Sequence, residues 1–209
     1  MGSGMKVIDA CRVISEARRT SAPGAVLVST MSAMFAFDEL GEERCRIDSV
    51  PLMGGAACLG LGIALARPDL AVIVVDGDAS LLMELGGLVT VASAQPRRLL
   101  HFVVNNRTQF GGVFNLQRPG TGPAASDFVR VADGAGYSST RWFDDERQLA
   151  AAMPELLALE GATLIELCVE PDPRRFGPGH PQPPLPDRQF ERMRDAVPVL
   201  RAELAGASS

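Results

Sequence analysis

Residues 71–110 read AVIVVDGDASLLMELGGLVTVASAQPRRLLHFVVNNRTQF, and this stretch decides the fold. "LAVIVV" at 70–75 and "LLHFVV" at 99–104 are continuous apolar runs. Such runs are typical of strands that are buried on both faces of a parallel sheet. Residues 80–95, between them, have the length of a helix. The stretch therefore predicts a β-α-β unit with a right-handed crossover.

Both predicted strands are followed directly by polar residues. Gly77-Asp78 follows the first strand, and Asn105-Asn106 follows the second. Because ligands of open parallel sheets bind outside the carboxyl ends of the strands, these residues can converge on one site. Carboxylate and amide oxygens are hard ligands that suit Mg²⁺ or Ca²⁺ better than zinc.

The residues around Asp78 also suit a phosphate group. Gly77 and Ala79 are small, so a phosphate can approach the backbone, and Ser80 is predicted to open a helix whose N–H groups favour an anion. Two protein ligands are too few for a closed cage, and Mg²⁺ usually completes its coordination with water and substrate phosphates. The pattern predicts a Mg²⁺-bridged diphosphate; the alternative is that these polar residues only cap helices.

The rest of the chain continues the alternation of strands and helices. This order predicts an α/β fold, a three-layer sandwich with a mostly parallel sheet. We expect one domain over 5–209, with a Pro-rich tail and a C-terminal helix within 171–204, whereas residues 1–4 resemble a cloning remnant. The further predicted elements are a helix at 5–20, a strand at 24–30, a helix at 53–66, a long loop at 107–125, helices at 127–137 and 146–159, a strand at 162–170 and a last helix at 187–204.

Composition excludes several classes of function. The 209 residues carry a net charge of -5 and no long basic run, which argues against a nucleic-acid partner. No apolar stretch approaches the roughly 20 residues that cross a bilayer, and no secretory signal opens the chain. The four cysteines form no CxxC pair, so we expect reduced, buried thiols in a cytoplasmic protein.

The spacing of the two polar motifs resembles a known cofactor motif. Gly77-Asp78-Ala79, 25 intervening residues and Asn105-Asn106 are similar to the thiamine-diphosphate motif, usually written GDG…NN. The resemblance implies that the side chains of Asp78 and Asn106 bind Mg²⁺ and that the backbone carbonyl of Thr108 is a third ligand. Ala79 departs from the motif, where Gly is usual.

The segment "MGGAACLGLGIALA" at 53–66 resembles the one that precedes this motif in thiamine enzymes of the pyruvate decarboxylase type. The resemblance implies that Met53 wedges between the two rings of the cofactor and holds its V shape. It also implies that the carbonyl of Pro51 accepts a hydrogen bond from the 4′-amino group of the cofactor. Gly54 begins a run of small residues that permits close approach. Taken alone, Met53 is also consistent with ordinary core packing.

The resemblance extends over roughly residues 5–200 and is to the β subunits of sulfopyruvate decarboxylase and the corresponding half of phosphonopyruvate decarboxylase. "GDASLLMELGGLVTVAS", "DFVRVADGAGY" and "LIELCVEPDP" carry it. It implies the diphosphate-binding (PP-type) thiamine-diphosphate fold and the decarboxylation of a small 2-oxo acid. Gly112 lies where single-chain pyruvate decarboxylases have an acidic residue, so the resemblance indicates the cofactor more specifically than the substrate.

The family also needs a Glu that contacts the aminopyrimidine of the cofactor, and it lies on a separate pyrimidine-binding domain. This chain is long enough for only one such domain, so the resemblance implies an α-type partner subunit that supplies the Glu in an α2β2 or larger hetero-oligomer. Two other functions stay open: a carboligase subunit of the acetolactate-synthase kind, and a non-catalytic scaffold. His101 is expected to be a core residue, and the loop residues Gln109, Phe110, Asn115 and Gln117 are candidates for contact with the substrate.

Overall fold

The computed structural model describes residues 4–50, 52–109, 114–115, 127–171 and 189–206. Six of its strands form one sheet, and two form a separate short pair. The strands are β1 (Val26–Ser29), β2 (Arg46–Asp48), β3 (Val72–Gly77), β4 (Arg98–Asn105), β5 (Thr108–Gln109), β6 (Phe114–Asn115), β7 (Ser139–Phe143) and β8 (Gly161–Cys168). The order of the large sheet is β2-β1-β3-β4-β8-β7, and every neighbouring pair in it is parallel.

Helices cover both faces of the sheet, which confirms the three-layer α/β sandwich. The cluster of buried side chains on one face comes largely from α1 (Val7–Ser21), α2 (Met31–Glu39) and α7 (Glu146–Ala158). The cluster on the other face draws on α3 (Ala56–Ala66), α4 (Asp78–Met83), α5 (Gly86–Ala94), α6 (Phe128–Ala135) and α8 (Gln189–Gly206).

The central strands alternate between these two clusters. Ile73 and Val75 of β3 belong to the first cluster, whereas Val72 and Val74 belong to the second. Because both faces are covered, both sets of side chains are apolar, which explains why the strand reads as a continuous hydrophobic run.

The predicted pairing of the two central strands is confirmed. β3 and β4 are parallel neighbours, in a register that runs from Val72 opposite Leu99 to Gly77 opposite Val104. Asp78 and Asn106 therefore both follow the carboxyl ends of adjacent strands, at one edge of the sheet.

The predicted helix at 80–95 is wrong in its start and its continuity. It begins earlier, at Asp78, and it is interrupted at Glu84-Leu85, so that α4 and α5 are separate helices. The glycine pair at 86–87 lies at the start of α5, and glycine costs about 1 kcal/mol relative to alanine inside a helix.

The predicted helix at 53–66 also begins too early. Met53 and Gly54 form a turn, and α3 begins only at Ala56. Gly54 has a φ of 87°, which lies in the left-handed region that a right-handed helix cannot contain.

Several elements lie where no helix or strand was predicted, namely α2, β2 and β7. Within the predicted loop at 107–125, the described part contains the antiparallel pair β5–β6. Cys11 and Cys45 are buried as expected, but Cys58 is exposed and Cys168 is half-buried. In the part of the chain that the structure describes, no helix is both long and apolar enough to cross a membrane.

Candidate metal and cofactor site

Two hydrogen bonds join three segments of the chain at the carboxyl edge of the sheet. The backbone N–H of Arg107, after β4, donates to Oδ2 of Asp78 over 2.6 Å. The N–H of Gly54, in the turn before α3, donates to Oγ of Ser80 in α4 over 2.8 Å. The structure therefore brings Met53-Gly54, the start of α4 and the end of β4 into one region, as the sequence predicted.

Asp78 is a buried carboxylate whose two oxygens both accept backbone hydrogen bonds. Its Oδ1 accepts a hydrogen bond from the N–H of Ala79 over 2.8 Å, in addition to the bond from Arg107 to Oδ2. Burial raises the pKa of Asp78 to about 6, although these two N–H groups oppose the rise. The negative charge of the nearby Asp76 adds to this rise, so a hard divalent cation would fit this site by stabilising the charged form of Asp78.

Asn106 and Thr108 form a tight turn beside Asp78. Oδ1 of Asn106 accepts hydrogen bonds from the N–H of Thr108 over 2.9 Å and from its hydroxyl over 3.1 Å. Arg107, between them, has a φ of 60°, a backbone conformation that is uncommon outside glycine and occurs often near functional sites. Coordination of a cation by the Asn106 oxygen requires that at least one of these two hydrogen bonds gives way, because together they occupy both lone pairs.

The small residues of the motif fit the backbone that they occupy. Gly77 is extended, with φ -108° and ψ 151°, and a Cβ added there would meet nothing within 4 Å. Ala79 lies within α4 and is not among the residues of positive φ, so its methyl group causes no backbone strain. The replacement of the usual Gly by Ala79 is therefore compatible with the local geometry.

The Met53-Gly54 turn is held tightly against α4. A Cβ added to Gly54 would lie 2.5 Å from the Cβ of Glu84, so only glycine fits at this φ and in this space. Met53 is half-buried and belongs to neither hydrophobic core cluster, which argues against ordinary core packing. Pro51, the predicted hydrogen-bond acceptor, lies outside the described residues.

Ser80 was predicted to open its helix, but it lies inside α4, which begins at Asp78, and it is buried. Its hydroxyl accepts the hydrogen bond from Gly54, so the contact that the structure gives it is to the Met53-Gly54 turn. The predicted role of Ser80 at a phosphate stays a prediction.

Two contacts at this edge were missed by the sequence analysis. One is the backbone N–H of Arg107, whose position depends on a turn that no residue pattern reveals. The other is Glu166 in β8, which accepts a hydrogen bond from Nδ2 of Asn105 over 2.7 Å. Burial raises the pKa of Glu166, while the bond from Asn105 lowers it. An acidic residue inside the apolar strand "ATLIELC" was a usable signal, since buried carboxylates need partners.

Of the remaining sequence candidates, one is buried in the core, one directly follows Thr108, and the side chains of the others lie beyond the described residues. His101 is completely buried, and its Nδ1 lies 3.1 Å from the hydroxyl of Tyr137, as befits a core histidine. Gln109 lies in β5, but Phe110, Gln117 and the side chain of Asn115 are outside the described residues. In the described ranges, no group of three or more His, Cys, Asp or Glu side chains could hold a metal ion. Any metal here is thus expected to use amide or backbone oxygens as well.

Comparison with curated proteins identifies relatives among decarboxylases. The chain is 32% identical over 162 residues to a phosphonopyruvate decarboxylase of Streptomyces viridochromogenes, a match that covers 77% of this chain and 38% of that protein. It is 34% identical over 119 residues to a sulfopyruvate decarboxylase subunit beta of Methanothermobacter thermautotrophicus, covering 57% and 59%. The chain thus spans between about two fifths and three fifths of the length of these relatives.

The fold is also shared with a solved structure. A thiamine diphosphate-dependent 4-hydroxybenzoylformate decarboxylase of Rhodococcus jostii RHA1 matches with a TM-score of 0.64 and 22% identity, over 82% of this chain and 34% of that one. Residues 30–167 match the model of the thiamine pyrophosphate enzyme C-terminal TPP-binding domain. These residues include the whole Asp78 and Asn106 site. The chain therefore belongs to the family of thiamine pyrophosphate enzymes, and its residues 30–167 correspond to the C-terminal TPP-binding domain of that family.

Proposed function

We propose that this chain is the small, β-type subunit of a two-component, thiamine-diphosphate-dependent 2-oxo acid decarboxylase. In this proposal, the chain binds the magnesium-diphosphate part of the cofactor, and an α-type subunit with the pyrimidine-binding domain supplies the activating Glu. The substrate is a small 2-oxo acid, and the two subunits form a hetero-oligomer.

The observation that carries the proposal is the hydrogen bond of 2.6 Å between the Arg107 N–H and Oδ2 of Asp78. This bond links the ends of β3 and β4, so the two residues expected to bind Mg²⁺ belong to one edge of the sheet. Asp78 and Asn106 would hold the cation, with the carbonyl of Thr108 as a third ligand. Gly77, Ala79 and the start of α4 would lie against the diphosphate.

On the other side of the site, the Met53-Gly54 turn would contact the cofactor rings. Ser80 fixes this turn through the Gly54 N–H, so the side chain of Met53 starts from a defined backbone position. Bound thiamine diphosphate would supply the electron sink for the loss of CO₂ from the substrate. In this proposal, the chain anchors the cofactor and orients its rings.

Two further points support the need for a partner. The relatives of similar size are named subunit beta, and this chain covers 59% of one of them. Among the described glutamates, Glu42 and Glu166 are the buried ones, and both are engaged within the chain: Glu42 pairs with Arg18 over 2.6 Å, and Glu166 accepts a hydrogen bond from Asn105. Neither carboxylate is available to a cofactor without breaking these contacts.

The experiment is a calorimetric titration of the assembled two-subunit complex with thiamine diphosphate, with and without Mg²⁺. Asp78→Ala removes the anionic ligand, so we expect Mg²⁺-dependent binding to fall by at least about a hundredfold, a loss of roughly 2.7 kcal/mol. Circular dichroism of the variant checks that the fold persists after the loss of the two backbone hydrogen bonds that Asp78 accepts.

Asp69→Ala is the matched control. Asp69 precedes β3 at the opposite end of the strand and pairs with Arg67 on the surface over 2.6 Å. This variant should bind the cofactor like the parent. Unchanged affinity in the Asp78→Ala complex would exclude the metal assignment, and with it the proposed role of this chain.

A further inference from the structure

Glu166 is an acidic residue in the middle of the buried strand β8. Its side chain is 4% exposed, with the apolar residues Ile165 and Leu167 on either side in the sequence. A carboxylate at this depth is costly unless hydrogen-bond donors surround it. Its contacts therefore show what the fold uses it for.

Both oxygens of Glu166 have partners. Oε1 accepts a hydrogen bond from Nδ2 of Asn105 over 2.7 Å. Oε2 accepts from the backbone N–H groups of Phe128 over 3.1 Å and of Val129 over 3.4 Å. The carboxylate thus bridges the carboxyl end of β4 and the first turn of α6, two elements that residues 106–127 separate in the sequence.

The position of this bridge relates it to the candidate site. Asn105 is followed by Asn106 and then by Arg107, whose N–H is bonded to Asp78. The hydrogen bond to Glu166 holds the Asn105 side chain against β8. It therefore also restrains the Asn105 backbone, and with it the positions of Asn106 and Arg107. Residues 107–127 connect this point with α6, so Glu166 holds the chain at both ends of that segment.

We propose that Glu166 is a positioning residue that joins the Asn105-Asn106 end of β4 and the start of α6 into one rigid unit, and thereby holds Asn106 and the Arg107 N–H beside Asp78. The consequence for cofactor binding rests on the proposed function. The coupling between the end of β4 and the start of α6 does not. Glu166 acts through Asn105 and the backbone and does not itself contact the cofactor.

The test is residue-resolved amide hydrogen exchange, measured by NMR on the purified full chain without Mg²⁺ or cofactor. Glu166→Ala removes a charged acceptor, so exchange at Phe128 and Val129 should become about tenfold faster or more. The proposal further requires faster exchange at Arg107 and Thr108, which Glu166 does not touch.

Asp127→Ala is the matched control. Oδ1 of Asp127 accepts a hydrogen bond from the Arg130 N–H over 3.0 Å, so this variant weakens the start of α6 through a different contact. It should leave the exchange of Arg107 and Thr108 unchanged. If Glu166→Ala likewise affects only the start of α6, the proposed coupling is wrong.

A reversed pair provides a second test that does not depend on the folding of Glu166→Ala. Asn105→Asp places two carboxylates in contact and should accelerate exchange at Arg107 and Thr108. Adding Glu166→Gln lets the amide of residue 166 donate to the carboxylate of residue 105. The double variant should therefore recover, on a logarithmic scale, at least about half of the protection from exchange that Arg107 and Thr108 lose in Asn105→Asp. Absence of this recovery would contradict the proposal.

Titration of the assembled complex with Mg²⁺ and thiamine diphosphate separates this inference from the proposed function. We expect Glu166→Ala, but not Asp127→Ala, to weaken binding about tenfold or more. Parental affinity in the Glu166→Ala complex would overturn the positioning role at the site. If instead the parent complex itself does not bind the cofactor, the proposed function fails, while the exchange results still decide the coupling.

Discussion

Asp78 is the residue of the candidate site whose protonation burial affects most clearly. Its two oxygens each accept one backbone N–H, yet burial still raises its pKa to about 6. Two neutral donors thus only partly offset the loss of water around the charge. In the absence of a cation, the folded chain therefore favours the protonated form of Asp78 more than the unfolded chain does.

This raised pKa predicts a pH-dependent stability of the chain in EDTA. An unfolded aspartate titrates near pH 3.9, whereas Asp78 titrates near pH 6 in the folded chain. A raised carboxyl pKa contributes stability that is present below about pH 4 and is lost as the pH rises through about 6. Because a tenfold change in proton affinity corresponds to about 1.4 kcal/mol, the stability lost is roughly 3 kcal/mol.

Urea unfolding of the parent and Asp78→Asn between pH 4 and pH 8 measures this loss. The asparagine cannot titrate, so the stability of the variant relative to the parent should increase by about 2–3 kcal/mol between these limits. A stability difference that is the same at both ends of the range would show that the titration of Asp78 does not affect folding.

Met53 is the second residue with a specific expectation. A long thioether on a turn outside both core clusters can fill the irregular gap between two angled rings. Met53→Ala should lower the turnover of the complex about tenfold or more but change cofactor affinity less, because the proposed diphosphate contacts lie at Asp78 and Asn106. Met53→Leu keeps the bulk and is the matched control, with nearly parental turnover. Parental turnover in Met53→Ala would remove Met53 from the cofactor site.

At the scale of elements, continuous apolar runs allowed the central strands to be predicted from the sequence. β3 and β4 are buried on both faces, so their hydrophobic runs identified the strands, their order and the edge that carries Asp78 and Asn106. The residues of the candidate site were recognisable because the motif follows those two strands directly. What was missed depends on contacts between distant parts of the chain.

β2 is a strand that the local sequence does not predict. Its three residues are Arg-Ile-Asp, and both charged side chains are buried. Arg46 and Asp48 form an ion pair over 2.9 Å, and Asp48 also accepts from Arg192 of α8 over 2.5 Å. Nothing local in "RID" indicates a buried strand, because two of its three residues are charged and Asp48 gains its second partner, Arg192, from 144 residues away. β7 was missed for the opposite reason: it is an edge strand with an exposed Trp142 and no continuous apolar run.

At the scale of the molecule, four large apolar side chains are exposed within residues 82–89. Leu82 and Met83 are exposed at the end of α4, Leu85 is exposed between α4 and α5, and Val89 is exposed on α5. Clustered exposed apolar side chains often mark surfaces that another protein covers. Under the proposed function, this surface is a candidate for contact with the partner subunit.

The last prediction follows from the proposed two-subunit function: the chain alone should not turn over 2-oxo acids. Its buried glutamates within the described ranges already have partners in the chain, so neither is free to activate the cofactor. The purified chain is assayed with several 2-oxo acids, thiamine diphosphate and Mg²⁺, first alone and then with its partner subunit. We expect CO₂ release only from the pair, and none when the pair carries Asp78→Ala, which controls for contaminating enzyme. Turnover by the chain alone that is lost in Asp78→Ala would refute the two-subunit function, since a complete active site would then exist in this one polypeptide or its self-assembly.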